Sequence, residues 1–353
     1  MRTRTWILLL VLGALWGCDD DATTPVPEPR FYSTTARLLS TGNPTKDEDP
    51  SILRAGDGSM FVAWFSDRDG PGDIYLARNE GGDAWSSARR VTFDPGGDFY
   101  PSLLQDAGGV FHLTWFRWYA LERGHILHST SSDGLSWNVA DEESVTTDLD
   151  VDDWVPTPSL ASDGTLFVYF VSERRGGNGT SDLYVASKAS APASWTAPDS
   201  LSILSSATEH DHLPFVARTG SGFTMVWVRH DTSVPLPWNN PKSHVFLSTS
   251  ADGTTWSAPQ QVTTDAGNVV NLFPFIVDGT TLVWLSTRGG PPKVYEMPLA
   301  MALNYPSGVT EVTSLPPGYS HRMAPTSTGG IYLGAWVQGP LGAEDVYYRF
   351  FER

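Results

Sequence analysis

The sequence is short of cysteine, of basic charge and of long apolar runs, and each shortage closes off a class of protein. Cys18 is the only cysteine, so the chain holds no internal disulfide and owes its stability to burial. Its 23 Lys and Arg stand against 40 Asp and Glu, a formal charge of −17, which speaks against nucleic acid as a partner. No apolar run approaches the ~20 residues of a membrane-spanning helix, the stretch from Trp6 to Trp16 being too short. No Walker A loop, GxSxG elbow or HExxH helix occurs. The acidic run Asp148 to Asp153 lacks the spacing and the glycine of an EF-hand. His210, His212 and His321 are too few and too evenly spaced on strands to define a metal centre. No metal and no cofactor is therefore expected, calcium being the one ion that an acidic face could attract.

The N-terminus has a pattern of its own. Arg2 and Arg4 precede the apolar run, as in an export signal. Leu15-Trp16-Gly17-Cys18 resembles the lipobox of bacterial lipoproteins, where a small residue precedes a cysteine that is acylated and becomes the new terminus. The resemblance implies a signal peptide at 1–17, lipidation of Cys18 and a location in the bacterial cell envelope, exported and lipid-anchored, at the periplasmic face or the cell surface. Residues 18–30 carry DDDATTPVPEPR after the cysteine, an acidic, proline-rich tether. Loss of Arg2 and Arg4 with the leader takes the charge from −17 to −19.

From residue 31 to 353 one plan recurs six times, and a period near fifty residues signals a propeller or solenoid. Each repeat has a proline on a first strand: Pro50, Pro101, Pro158, Pro214, Pro274 and Pro325. An apolar run then ends in Trp64, Trp115, Tyr169, Trp227, Trp284 or Trp336, each run short enough for a strand. Third strands open at Asp73, His125, Asp182, His244, Lys293 and Asp345. Fourth strands are weaker, around Val91, Val145, Val262 and Val312, with Leu201 to Leu204 filling that place in the third repeat. The sixth repeat stops after its third strand, and Ala36 to Thr41 reads as the missing outer strand. The expectation is an all-β, six-bladed propeller of four-stranded blades, its ring closed by an N-terminal strand in the last blade.

Ser131 to Trp137 (SSDGLSW) and Ser250 to Trp256 (SADGTTW) resemble the Asp-box, or BNR repeat, of the sialidase superfamily. They predict turns between third and fourth strands. Loops entering the first strands and loops joining strands two and three then share the opposite face, gathering Asp69, Trp154, Glu209, Tyr319, His321 and the arginines Arg68, Arg117, Arg174, Arg229 and Arg288. Such a funnel suits a polar ligand, above all a glycan. Arginines repeated around a ring also suit a scaffold, each pairing with an aspartate that opens strand three, as Arg68 with Asp73 and Arg174 with Asp182. That scheme leaves Arg229 and Arg288 free for a ligand.

The sialidase resemblance implies further roles: Tyr319 as nucleophile, Glu209 as its activating base, Asp69 or Asp73 as acid/base, and Arg229 and Arg288 on the substrate. Arg68, Trp154 and His321 complete the substrate-binding set. The family's first arginine is missing, because Glu48-Asp49-Pro50 occupies its place. Two readings stand. One is a membrane-anchored, sialidase-like propeller that binds glycans and extends to exo-glycoside hydrolysis. The other is a non-catalytic envelope scaffold whose face holds a protein partner.

Overall fold

The computed structural model describes residues 36–352 apart from 41–44, 120–122, 149, 175–179, 191–192, 231–241, 314, 316–318, 327–329 and 341, and leaves undescribed the side chains of 139, 319–321 and 325. The leader, Cys18 and the tether lie outside the described residues.

The chain is a six-bladed β-propeller. Blade 1 runs through Asp47–Arg54, Met60–Ser66 and Asp73–Gly81 to the short outer pieces Ala84–Trp85 and Arg89–Arg90. Blade 2 is Gly97–Gln105, Phe111–Trp118, His125–Ser131 and Glu143–Ser144. Blade 3 is Asp153–Leu160, Leu166–Ser172, Asp182–Lys188 and Asp199–Ser200. Blade 4 is His210–Thr219, Gly222–His230, Ser243–Ser250 and Gln260–Gln261. Blade 5 is Asn271–Val277, Thr281–Ser286, Lys293–Pro298 and Thr310–Glu311. Blade 6 is Tyr319–Pro325, Ile331–Gln338 and Asp345–Glu352, completed by Arg37–Leu38 from the start of the domain. All pairings are antiparallel.

The ring closes as the truncated sixth repeat requires. Arg37 pairs with Tyr348 and Leu38 with Tyr347, and Ser40 Oγ donates to Asp345 Oδ1 at 2.9 Å. The core is divided by blade interface, with one apolar cluster between each neighbouring pair. Met60, Val62 and Trp64 meet Leu333 and Val346 across the closure, and Phe167 and Tyr169 meet Phe223 and Trp256 between blades 3 and 4. In blade 3 the outer strand is Asp199–Ser200, and Leu201 and Leu204 follow it as buried core.

Two registers differ from the sequence pattern. Each inner strand carries a bulge, and its proline sits at the same place in five blades: Pro50, Pro101, Pro156, Pro214 and Pro274. Pro158 lies two residues further along, and in blade 6 the bulge falls at 320–321 rather than at Pro325. Proline is tolerated there because an inner strand is a sheet edge with no neighbour to receive the lost N–H. The residue before each proline, Asp49, Tyr100, Val155, Leu213 or Phe273, has φ between 50° and 52°, a left-handed conformation that costs ~1–3 kcal/mol for a side chain with a Cβ. Five repeats of one strained bulge make it a device of the fold.

The second correction concerns blade 3, where Phe170 takes the place of the tryptophans. It pairs with Tyr184 as Trp64 does with Tyr75. Tyr169 points the other way and donates its hydroxyl to Gly253 O at 2.8 Å. That carbonyl belongs to one of the Asp-Gly turns. Asp133 Oδ1 accepts from the amides of Leu135 and Ser136 at 2.8 and 2.7 Å, and Asp252 Oδ1 from those of Thr254 and Thr255 at the same distances. Glycine follows because φ is 71° at Gly134 and 82° at Gly253, and a Cβ at Gly134 would meet Phe111 and Phe61 at 2.9 Å.

Candidate functional site at the propeller axis

The arginines that follow the second strands are anchored to the heads of the inner strands. Arg68 Nη2 meets Asp47 Oδ1 at 2.8 Å, Arg117 Nε meets Asp98 Oδ1 at 2.7 Å, and Arg229 Nε meets Asp211 Oδ1 at 2.8 Å. Arg174 grips Asp153 with both terminal nitrogens. The same aspartates receive the indole N–H of Trp64, Trp115 and Trp227 at 3.1, 3.0 and 2.7 Å. Each guanidinium also lies near a ring of its blade, 4.3 Å from the Tyr75 centroid for Arg68 and 4.6 Å from Phe246 for Arg229. In blade 5 Asn271 accepts from Trp284 at 3.1 Å, and Arg288 turns to Asp265 at 3.4 Å.

This corrects the expected pairing. Asp73 binds Arg90 at 2.9 Å rather than Arg68, and Arg174 meets Asp153 rather than Asp182. Arg229 and Arg288 are both engaged. Four carboxylates that the sequence places at strand entrances are thus wholly buried parts of a lock joining first, second and third strands. Burial pushes Asp98 up to about 6 even with Arg117 beside it, so the pair remains ionised at neutral pH. Asp211→Ala is expected to cost ~3–5 kcal/mol, because it strands Arg229 and the Trp227 indole. Urea unfolding measures this, and a loss under ~1 kcal/mol would contradict the lock.

The remaining candidates lie as follows. Glu209 Oε2 is 3.9 Å from Arg229 Nε, so these two share one sector of the funnel face. His244, across the ladder from Arg229, feels both Glu209 and Asp265, and Asp265 also accepts the Tyr305 hydroxyl at 2.6 Å. Asp69 accepts the hydroxyl of Tyr75. Trp154 packs 5.8 Å from the His212 ring. The backbone of Tyr319 pairs with Val337, but the side chains of Tyr319 and His321 lie outside the described residues, so their approach to Glu209 does too. His210 stacks on His212 with centroids 5.6 Å apart, and His212 meets His230 edge-on at 5.2 Å. No group of three metal-ligating side chains converges among the described residues.

The funnel expected from the sequence has its floor at the axis, and the residues there are not those that the sequence singles out as the site. The bulges of blades 1 to 5 and the inner strand of blade 6 surround a cavity of about 240 Å³ whose lining includes Asp49, Tyr100, Val155, Leu213, Phe273 and Arg322. Apolar and polar side chains share this wall, Ser51, Ser102, Thr157 and Asp278 adding to Asp49, Tyr100 and Arg322. Burial lowers Arg322 to about 10, with Asp49 acting against the shift, so the guanidinium stays charged at neutral pH. Burial raises the Tyr100 phenol, with Asp49 and Glu48 adding to it. Burial likewise lifts Glu48 above the usual carboxylate range despite Lys46 at 2.6 Å. The signal available was the shared register: the residues before the prolines in five blades, and Arg322 at the place in blade 6 that Ser51 holds in blade 1.

Fold and cavity together define a six-bladed propeller with a polar axial pocket. Several solved structures resemble the chain closely in shape and weakly in sequence. A Dyadobacter fermentans protein of unknown function has a TM-score of 0.67 at 12% identity, over 90% of this chain and 97% of its own. An α-L-arabinanase of Penicillium chrysogenum, complexed with arabinobiose, scores 0.68 at 16% identity, over 87% and 93%. An α-L-arabinofuranosidase of Fusarium graminearum, complexed with an iminosugar inhibitor, scores 0.65 at 16% identity, over 89% and 96%. At such identities the likeness establishes the fold. No family model and no curated protein matches the chain.

Proposed function

We propose that the protein is a glycan-binding propeller whose axial cavity receives the terminal sugar of an oligosaccharide. The observation that carries this reading is a cationic donor, Arg322, and an anionic acceptor, Asp49, on one wall that also offers hydroxyls and apolar side chains. A sugar diol both donates and accepts, and so satisfies such a pair with adjacent hydroxyls. A volume of about 240 Å³ is below the ~300–1,000 Å³ of drug-sized ligand sites, which suits one ring at a chain end. The two arabinose-acting neighbours support a sugar ligand and favour a pentose over a sialic acid, whose carboxylate Glu48 and Asp49 would repel. Hydrolysis is the second reading. It rests on Glu48, a carboxyl that burial holds toward its protonated form, with Asp49 as its neighbour in sequence, acid catalysis requiring a protonated carboxyl.

Calorimetry of the protein with arabinobiose, other neutral oligosaccharides and sialyllactose tests the binding. Heat from a neutral oligosaccharide is the expected result, and no response to any glycan would refute it. We also propose that Cys18 carries the lipid anchor. Cys18→Ser should move the protein from the membrane fraction to the soluble fraction, and retention in membranes would end that proposal.

A further inference from the structure

On the face opposite the funnel, between blades 2 and 3, four side chains form a line. His112 Nδ1 lies 3.0 Å from His128 Nε2, the rings nearly parallel with centroids 5.3 Å apart. Outside them, His112 Nε2 is 3.6 Å from Asp106 Oδ2, and His128 Nδ1 is 3.4 Å from Glu143 Oε2. Glu143 is also the tie to blade 3, accepting from Lys188 Nζ at 2.7 and 2.6 Å and from Trp195 Nε1 at 3.2 Å. A cavity of about 520 Å³ opens over the line, bordered as well by Asp141 and Glu142. Of these, Glu142 is committed to Arg117 at 2.8 Å.

Counting hydrogens shows what the line lacks. It has three gaps, carboxylate to imidazole, imidazole to imidazole and imidazole to carboxylate. Two neutral imidazoles bring one N–H each. Whichever tautomers form, at least one gap then sets lone pair against lone pair, either nitrogen against nitrogen or nitrogen against a carboxylate oxygen. Both outer gaps are long for hydrogen bonds. One added proton gives every gap a hydrogen. A second would place two hydrogens in the central gap, where the rings already touch.

We propose that His112 and His128, strung between Asp106 and Glu143, are a proton-binding site that takes up one proton and no more. Filling it draws Glu143 toward His128 in competition with Lys188 and Trp195, so the site couples acidity to the contact between blades 2 and 3. Desolvation opposes uptake and holds both imidazoles below their ordinary value, His128 to about 4. The site is therefore empty at neutral pH and fills in acid. His212 is the contrast within the same chain: its titration is set by burial and by the imidazoles of His230 and His210.

Imidazole ¹⁵N NMR of the full chain during acidification tests the proposal. The expected result is a single transition reported by both rings and worth one proton. Glu143→Gln should lower its midpoint by ~1 unit or more, since an opposite charge within ~4–6 Å shifts a group by that much. Lys188→Met should raise it by releasing Glu143 and removing a cation. Asp106→Asn, at the partly exposed end of the line, should lower it without disturbing the blade contact. Two separate one-proton transitions at ordinary histidine values would overturn the proposal. So would imidazoles that stay neutral until the fold is lost, or a midpoint that ignores these substitutions.

Discussion

His212→Leu is expected to be less stable than the parent protein at pH 7 and more stable at pH 4. At neutral pH the substitution removes the contact between His212 Nε2 and Ser181 Oγ at 3.0 Å and disturbs packing against Trp154, a loss of ~1 kcal/mol. In acid the balance reverses. Burial first, and then the charges of His230 and His210, lower His212 to about 3. The unfolded chain binds its proton near pH ~6.5. Because the folded value is depressed, the folded state binds fewer protons between those limits, and stability is lost as pH falls through them. For this one side chain the loss between pH 7 and pH 4 is about 3 kcal/mol. The parent's whole acid curve sums several groups: His230 and His128, lowered by burial to about 4, act with the same sign, while Asp98, raised by burial to about 6, acts with the opposite sign, its contribution present below the unfolded value and lost as pH rises through 6. The difference between variant and parent isolates the histidine. Urea midpoints at pH 7 and pH 4 supply it, and a constant difference would show that His212 charges freely in the fold.

The architecture was legible because propeller blades repeat and because closure is a counting problem. A sixth repeat with three strands and a spare strand near the start have one solution, and Arg37–Leu38 pairs where that solution puts it. The errors came from matching letters rather than register. Pro156 and Pro158 stand in one strand with the same spacing from the aromatic run to within two residues, and the bulge selects Pro156. Tyr169 was taken for Phe170 because a hydroxyl-bearing ring resembles tryptophan more than phenylalanine does. The physical criterion is which residue faces the aspartate at the head of the inner strand. In blade 3 no indole reaches Asp153, and Arg174 supplies two bonds instead.

The site was harder to see, since its members come from the inner strands of all six blades and are far apart in sequence. Arginine after the second strand looked like ligand chemistry because its partner was sought ahead in the sequence, at the head of strand three. The partner lies about twenty residues behind, as Asp47 does for Arg68 and Asp211 for Arg229. Glu48-Asp49 was read as a defect in an arginine site. In space Asp49 is one wall of the axial cavity, facing a cation that came from the blade on the other side of the closure.

That cation carries the largest functional effect. Arg322→Met is expected to weaken binding of a responsive neutral oligosaccharide at least ~100-fold, the effect of removing one member of a desolvated, hydrogen-bonding charge pair. The fold should survive the change. Along an inner strand successive side chains alternate in direction, and Met323 enters the apolar cluster between blades 5 and 6. Arg322 therefore turns to the axis, where it lines the cavity and lies 5.6 Å from the Phe275 ring. Methionine has a similar reach and suits such a wall, and it ends the desolvation that holds the guanidinium to about 10. Arg322→Lys separates charge from shape, because an ammonium keeps the charge and loses the planar fork that meets two hydroxyls at once. It should bind more weakly than the parent and more tightly than the methionine variant. Asp49→Asn keeps the acceptor while removing its charge, and should fall between the two as well. Undiminished affinity in a folded Arg322→Met protein would move the glycan site off the axis, to the sector where Glu209, Arg229, Asp265 and Arg288 gather.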